Sequence, residues 1–533
     1  MNNPKMPMFK FLILGLSFTS SLCMAQQALV DQAIKAMGGL SKLESIHTLQ
    51  YKASMKQWEP EQSFEAGGEM KFASNSNFEV KRNFDEGFVQ VDWVKNFVYP
   101  TTRTYTFSEV VRPNAGYIAG IESNTRVKQN KESDPPGHTM SSVRLAVAQR
   151  EFARSSALLL IEMKRHPLRV QACADVLIDG VSYSALKYVL NDQRNDQVFT
   201  VIFDSTTKLP LRVRTLDYDN IHGDVTYDLV FREWGQWGGV VLPSKMSYEF
   251  DGRLISDIDV KDYQLNPALS EANFSISAKL LSSAAKPAVG MINFQWPIRR
   301  QIIGTLIDSD NNAFDMQAVS DLALTPLAPG VDHQSRGSAN SLIVEMKDHL
   351  VVFDAPTTDW QSKRTIELIQ TKYVGKPIKY LILTHHHMDH AGGFRAYAAI
   401  GATLVVGSSN VAHFKKMLNA PYTLNPDLQG GSLARTKIIE VKDVFKDSDG
   451  SREVSAWLLE NTHAKGMLFG YVSDVQIGFV TDLWAPGRDQ IKGKLNATQS
   501  QLAKAVEKAG LKPLLFAGGH GQTAPYSQIS EAQ

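Results

Sequence analysis

The amino-acid sequence predicts two unlike halves, a β-rich antiparallel-sheet domain followed by a layered α/β domain. Three observations predict this. Apolar–polar alternation dominates the chain up to about residue 275, as in half-buried antiparallel strands. A small, polar, breaker-rich stretch, SAKLLSSAAKPAVG, then interrupts the pattern near 276–290. Beyond about residue 320, strand patterns and helix patterns alternate, which implies helices layered on sheets. The 533 residues also exceed what one ordinary core accommodates.

The elements follow in order. Lys5 and Lys10 precede the apolar run FLILGLSF, and small residues surround a cleavage point after Ala25. Residues 1–25 therefore read as an export signal, with a mature start at Gln26 and a periplasmic or secreted location. Cys23 is a candidate lipid site, but Leu22 before it is not small, which favours simple cleavage. No later run is long and apolar enough for a transmembrane anchor. A β-rich domain is expected over 26–280. It opens with a short helix, QALVDQAIKAMGG, closed by Gly38-Gly39. Alternating strands follow, among them HTLQYKASMKQW and FVQVDWVK, then a helical pattern at about 141–163, then further strands to about 265. Residues 281–319 read as a linker and lead-in. From 320 to 533 come strands NSLIVEM and HLVVFDA, a helix at 360–373, strand IKYLILT, helices near 394–400 and 409–418 with strand ATLVV between them, and five more strands. The helix ATQSQLAKAVEKAG precedes the last of these, LLFAGG.

Composition narrows the partners. Lys plus Arg number 56 and Asp plus Glu 55, a net charge of +1, so there is no basic excess to neutralise a phosphate backbone and no nucleic-acid partner is expected. A small-molecule substrate is expected instead; nothing in the sequence specifies an oligomeric state. After signal removal Cys173 is the only cysteine, a small buried residue rather than half of a disulfide.

The densest chemistry lies in LTHHHMDHAGG, residues 383–393. IKYLILT lacks alternation, so it reads as a strand buried on both faces, and His385, His387, Asp389 and His390 follow its carboxyl end, where open α/β sheets place ligand sites. Imidazole and carboxylate together suit zinc, and also iron or manganese. His386 and Met388 read as packing or solvent-facing spacers. Gly392-Gly393 read as a tight turn into the next helix.

The spacing H-x-H-x-D-H resembles the signature of the metallo-β-lactamase superfamily, and four further motifs of that family recur in order. These are Asp354 in HLVVFDAP, His463 in LLENTHAKGM, Asp482 in IGFVTDLW and His520 in LLFAGGHG. The resemblance covers about 320–533 and implies an αββα sandwich with two zinc ions. By it, His385, His387 and His463 hold one ion, Asp389, His390 and His520 hold the other, and Asp482 bridges them. Asp389 and Asp482 are the carboxylates expected to take part in catalysis. Asp354 orients the cluster without being a ligand. One departure is Thr462, where a glycine often precedes the third-motif histidine. The implied reaction is hydrolysis of an ester, thioester, lactone, amide or sulfate-type bond by a hydroxide shared between the ions. Aspartate rather than cysteine at 482 resembles the thioesterase, lactonase and phosphodiesterase branches. A mononuclear iron persulfide-dioxygenase-like enzyme is an alternative. Another is an envelope carrier of apolar molecules with a vestigial metal domain.

Residues 28–275 are similar at pattern level to LolA/LppX-like envelope domains, through AIKAMGGLSKLESIHTLQYKA and DSTTKLPLRV. That implies a curved antiparallel sheet around a helix, sometimes with an apolar cavity; the alternative is an accessory domain that only packs. His333, Tyr422 and Trp484 lie on loops of the second half and are taken as candidate substrate contacts.

Overall fold

The protein is described by a computed structural model over residues 25–122, 136–190, 197–287, 321–336, 339–426, 433–491 and 493–532. The expected export signal, apart from Ala25, and most of the expected linker lie outside the described residues. Among those described, no helix is long and apolar enough to cross a membrane.

The chain divides into two compact units. The first comprises the described residues of Met1–Gln57, Ala73–Asp217 and Thr226–Ile307. The second comprises Trp58–Phe72, Tyr218–Val225 and the described residues of Asp308–Gln533. Two short stretches from the first half of the sequence therefore fold with the second half.

The first unit is built on a thirteen-stranded sheet. Its first strand, Thr48–Glu59, lies mid-sheet beside its last long strand, Arg253–Leu265, in antiparallel register. Alternation drives this arrangement: Thr48–Glu59 buries every second residue. The helical pattern at 141–163 breaks into Ser142–Arg154 and Leu159–Arg165. Ser141 caps the first by accepting from the Arg144 amide. That helix carries three wholly buried arginines, each paired: Arg144 with Glu109 and Glu122, Arg150 with Asp217, and Arg154 with Glu151. Buried charge is tolerated only with such partners. A cavity of about 40 Å³ lies among Tyr51, Leu160, Trp234 and Met246. That is room for a water-sized molecule, far below the several hundred Å³ that a drug-sized ligand fills.

The second unit is a sandwich of two mixed sheets. A seven-stranded sheet runs from Ala323–Ala328 to Ile438–Val441, and a six-stranded sheet from Val444–Ser448 to Thr523–Pro525. Val331, Leu342, Phe353 and Ile382 from the first sheet share one buried core with Ala456, Phe479 and Ala517 from the second. Gly470 is obligatory in that core, because a Cβ there would come within 2.5 Å of the Phe353 ring. Helices Asp359–Lys372 and Ala497–Lys508 lie outside the sheets, the latter over a second core of Leu502, Val506, Phe516 and Trp484. Strand Ile378–Ile382 sits inside its sheet, parallel to Leu350–Phe353 and to Thr403–Gly407. It is less dry than its apolar sequence suggests: Lys379 is exposed, and burial becomes complete only toward Ile382. The buried end is the one that delivers the histidine cluster.

Candidate metal centre

Each candidate ligand follows the end of a strand. After Ile378–Ile382 the chain passes His385 and His387 and enters the one-turn helix Met388–Ala391, which carries Asp389 and His390. Backbone bonds fix that turn: the Ala355 amide donates to the His390 carbonyl at 2.9 Å, and Thr357 to Met388 at 3.0 Å. Gly392 and Gly393 have negative φ, so conformational freedom is not why glycine stands there. A Cβ on Gly392 would come within 2.0 Å of the Thr357 carbonyl oxygen, and one on Gly393 within 2.0 Å of Ser362 Oγ. Close approach, rather than a tight turn, requires the pair.

His463 follows strand Glu453–Leu458 on a turn that Asn461 builds, its Oδ1 accepting from the amides of His463 and Ala464, both at 2.8 Å. Thr462 is not among the residues with positive φ, so the turn has no need of the glycine expected there. Asp482 follows Ile477–Val480, and His520 follows Leu515–Gly518.

The structure brings these seven residues into two groups of mutually close ligand atoms, His385, His387 and His463, and Asp389, His390, Asp482 and His520. Asp482 touches both. Its Oδ2 lies 2.8 Å from His390 Nε2, 3.4 Å from His385 Nε2 and 3.7 Å from His463 Nε2, and its Oδ1 lies 3.2 Å from His520 Nε2. Despite these distances Oδ2 has no hydrogen-bond partner of proper geometry. Within each group the ligand atoms lie within 4.8 Å of one another, close enough to share a cation. His390 and His520 bring Nε2 atoms within 3.1 Å, and His385 and His463 within 3.3 Å.

Tautomers agree with that reading. His390 Nδ1 lies 2.9 Å from Asp354 Oδ2, which as a carboxylate oxygen accepts, so the free lone pair of neutral His390 is on Nε2. Asp354 also accepts from the Thr384 amide at 2.7 Å and the Thr384 hydroxyl at 2.9 Å. It is wholly buried and contacts the cluster only through His390. His387 Nε2 is 2.9 Å from the Ser63 carbonyl, and its buried Nδ1 has no partner.

Electrostatics differ between the groups. Burial holds His385 well below its usual range and His387 at about 3, so both are neutral donors. Around His520 burial also disfavours charge, but the carboxylates of Asp482 and Asp389 outweigh it and raise the imidazole to about 9. His390 is raised in the same way. Two half-buried carboxylates among imidazoles favour positive charge at this spot. The donor set of imidazole and carboxylate, with orphaned lone pairs converging, fits one or two borderline-soft divalent cations.

The candidate substrate contacts lie elsewhere. Trp484 is wholly buried against Phe516 in the core beneath Ala497–Lys508. His333 is buried, with Nε2 2.9 Å from the Gly518 carbonyl; with Asn340 it braces the turn that carries His520. Tyr422 lies under the Arg395 guanidinium, 4.3 Å from its ring centre. His333 stands in the strand Val331–Ser335 rather than on a loop, and core packing claims both it and Trp484. His386 takes the packing alternative: it is buried, donating from Nε2 to the Ser63 carbonyl at 2.9 Å. Sequence reasoning missed Asn340, Thr384, Gln62 and Ser63. Thr384 was legible as the small polar residue ending IKYLILT; Gln62 and Ser63 carry no local signal.

The family model of the metallo-beta-lactamase superfamily matches residues 335–520. This stretch is a metallo-beta-lactamase superfamily domain. Among solved structures, the chain is similar to a metallo-beta-lactamase from Pontibacter korlensis, at 16% identity and a TM-score of 0.32, over 39% of this chain and 96% of that one. It is also similar to the stereoselective inverting sec-alkylsulfatase Pisa1 from Pseudomonas sp., at 16% identity and a TM-score of 0.30, over 41% of this chain and 42% of that one. No curated protein sequence matches the chain.

Proposed function

We propose that the second unit is a metal-dependent hydrolase of small molecules, acting on an ester, thioester, lactone, amide or sulfate-type bond. The observation that carries this reading is the pair of converging donor groups joined at Asp482. His385, His387 and His463 would hold one cation, Asp389, His390 and His520 a second, with Asp482 shared; zinc suits the set best, and iron or manganese also fits. When bound, such cations supply Lewis-acid activation of water and of the scissile group.

The chain's own residues do the rest. Asp354 fixes the His390 tautomer. Asp389 and Asp482 supply the negative charge that retains cations. The ligands differ in exposure: His385 and His390 are sealed, while His463, His520 and Asp389 keep 18–25% of their side-chain surface open. Substrate therefore enters from the His463–His520 side. A cavity of about 860 Å³ flanks the His463 turn, lined by Asn461, Thr462, Trp457, Lys465 and Lys504. It has room for the non-reacting part of a substrate bearing both apolar and anionic groups. The two-group donor set favours this reading over a mononuclear iron enzyme and over a carrier with a vestigial metal domain. Export, with a mature start near Gln26, belongs to the same proposal and rests on the basic, apolar N-terminal segment.

The test is metal analysis of the purified full-length protein with a panel of ester, thioester, lactone, β-lactam, sulfate and phosphodiester substrates. The expected result is about two zinc per chain, with hydrolysis of at least one class abolished by a chelator and restored by zinc. A chain without metal, or one iron with oxygen uptake, overturns it. Mass spectrometry of the mature chain checks the start; an intact Met1 refutes export.

A further inference from the structure

Residues Trp58–Phe72 come from the first half of the sequence, between two strands of the thirteen-stranded sheet, yet they belong to the second unit. Their contacts are specific. The Ser63 carbonyl oxygen accepts from His387 Nε2 and from His386 Nε2, both at 2.9 Å. The Gln62 side-chain amide donates to Asp389 Oδ1 at 3.1 Å. The Phe64 carbonyl accepts from the Lys465 amide at 2.8 Å, two residues beyond His463. The stretch thus bonds directly to two candidate ligands, His387 and Asp389, and to the turn that carries a third, His463.

Each contact has a chemical consequence. A carbonyl oxygen can only accept, so the bond to Ser63 puts the ring proton of neutral His387 on Nε2 and leaves the lone pair on Nδ1. That Nδ1 is buried and has no hydrogen-bond partner, and His387 belongs to the three-histidine group. The nitrogen that His387 offers is thus chosen by a backbone atom 324 positions earlier in the chain. At Asp389 the two oxygens are divided. Oδ1 is engaged by Gln62, while Oδ2 lies 3.2 Å from His520 Nε2 and 3.7 Å from His390 Nε2. Gln62 leaves a single oxygen to the second group.

We infer that Gln62 and the Ser63 carbonyl are positioning groups for the metal centre, Ser63 setting the ligating nitrogen of His387 and Gln62 holding Asp389 to one-oxygen ligation. The inference rests on the metal-centre reading above. It makes the first half of the sequence a contributor to the site, through a loop that sheet folding delivers. The loop is itself braced: Ser63 Oγ donates to the Glu65 carbonyl at 2.7 Å, and Glu61 pairs with His222 of the other inserted stretch, Tyr218–Val225, at 2.7 Å.

The experiment uses the full-length protein and three variants. Gln62→Met keeps the volume of the side chain and removes the donor. Glu65→Gln, on the same loop, breaks only an exposed ion pair with Lys465 and serves as the control. The third variant replaces residues 62–67 with two glycines, removing both contacts. Zinc affinity is read by chelator competition, geometry from the visible spectrum of the cobalt(II)-substituted protein, and folding by circular dichroism. Wild type and Glu65→Gln should bind two ions alike. Gln62→Met should bind its weaker ion about 10–100-fold less tightly, with a changed cobalt spectrum, an unchanged tighter site and a fall in kcat larger than any change in KM. The loop replacement should weaken both sites. If wild type binds two ions and Gln62→Met matches it in affinity and spectrum, the inference is overturned and the metal reading stands. If Gln62→Met and Glu65→Gln weaken both sites equally, the loop is only a structural brace and the inference is again overturned. If wild type binds no metal, both readings fall.

Discussion

Replacing Asp354 separates the cost of unfolding from the cost of losing metal. This carboxylate is fully buried and accepts three hydrogen bonds, from the Thr384 amide, the Thr384 hydroxyl and His390 Nδ1. Asp354→Ala strands all three donors away from water. Each buried donor left unmade costs about 1–3 kcal/mol. Asp354 also has φ +61°, where alanine costs about 1–2 kcal/mol. Together these come to about 4–11 kcal/mol, comparable to the whole stability of many domains, so Asp354→Ala should be largely unfolded. Asp354→Asn is milder. Its amide oxygen can keep the two donors at the Oδ2 position, but its NH2 then faces the Thr384 amide. The expected cost is about 1–3 kcal/mol for that one unmade bond. Without the anion, His390 is a poorer donor, and cation affinity should fall about 10–100-fold. Urea unfolding with zinc and with excess chelator reads the first quantity, and chelator-competition titration reads the second. An Asp354→Asn protein with the wild-type urea midpoint in chelator and the wild-type zinc affinity refutes the reasoning.

Asp482→Ala removes the carboxylate shared by both groups; the weaker ion should bind at least about 10–100-fold less tightly and turnover should fall at least about a hundredfold, checked by metal analysis and kinetics, with near-normal occupancy as the refuting result. Gly392→Ala drives a Cβ to within 2.0 Å of the Thr357 carbonyl oxygen, and should cost about 3 kcal/mol or more together with metal content, seen in thermal unfolding and zinc analysis. In the first unit, burial raises the Glu122 carboxyl, but Arg144 and His138 outweigh it and hold it at about 2, against an ordinary 4.5. A depressed folded pKa stabilises above the unfolded value and is lost as pH falls toward 2. Glu122→Gln should therefore cost about 3 kcal/mol near pH 7, with the gap closing below about pH 4.5; a pH-independent difference in urea unfolding counts against the ion pair.

The second unit was legible because its strands are short apolar runs with helices between them, and because each candidate ligand is a polar residue just past such a run. Strand ends can be read locally. What could not be read is whatever depends on a partner distant in sequence. His386 and His387 are adjacent, and both donate Nε2 to the same carbonyl; only the fold distinguishes the one whose Nδ1 joins the three-histidine group. His386→Ala would empty a buried site and remove a hydrogen bond to the Ser63 loop. The helix Ser142–Arg154 was legible as a helix, but its three buried arginines were not, because charge reads as surface until Glu109, Glu122 and Asp217 are brought to it. Trp484 misled for the converse reason: a large aromatic beside a ligand looks like a rim residue until the core of Leu502, Val506 and Phe516 is seen to need it.

The two strand-end aspartates share a backbone feature that explains their residue type. Asp354 has φ +61° and Asp482 φ +49°, each just past its strand, Leu350–Phe353 or Ile477–Val480. A left-handed residue there turns the chain out of the sheet direction. Among residues with a side chain, aspartate and asparagine tolerate that conformation best. Glycine would relieve the backbone but deliver no carboxylate, and glutamate would carry one at greater cost in backbone strain and on a longer, less fixed stem. Thr357, at φ +63°, is a sharper case, since β-branched residues disfavour this region. Its carbonyl is the atom against which Gly392 packs. Strained residues cost of order 1–3 kcal/mol each and persist only where the surroundings over-determine them. Here three flank the turn that carries His385, His387, Asp389 and His390. These left-handed residues bend the backbone where the two carboxylates leave the sheet, and the packed strands on either side hold the bend.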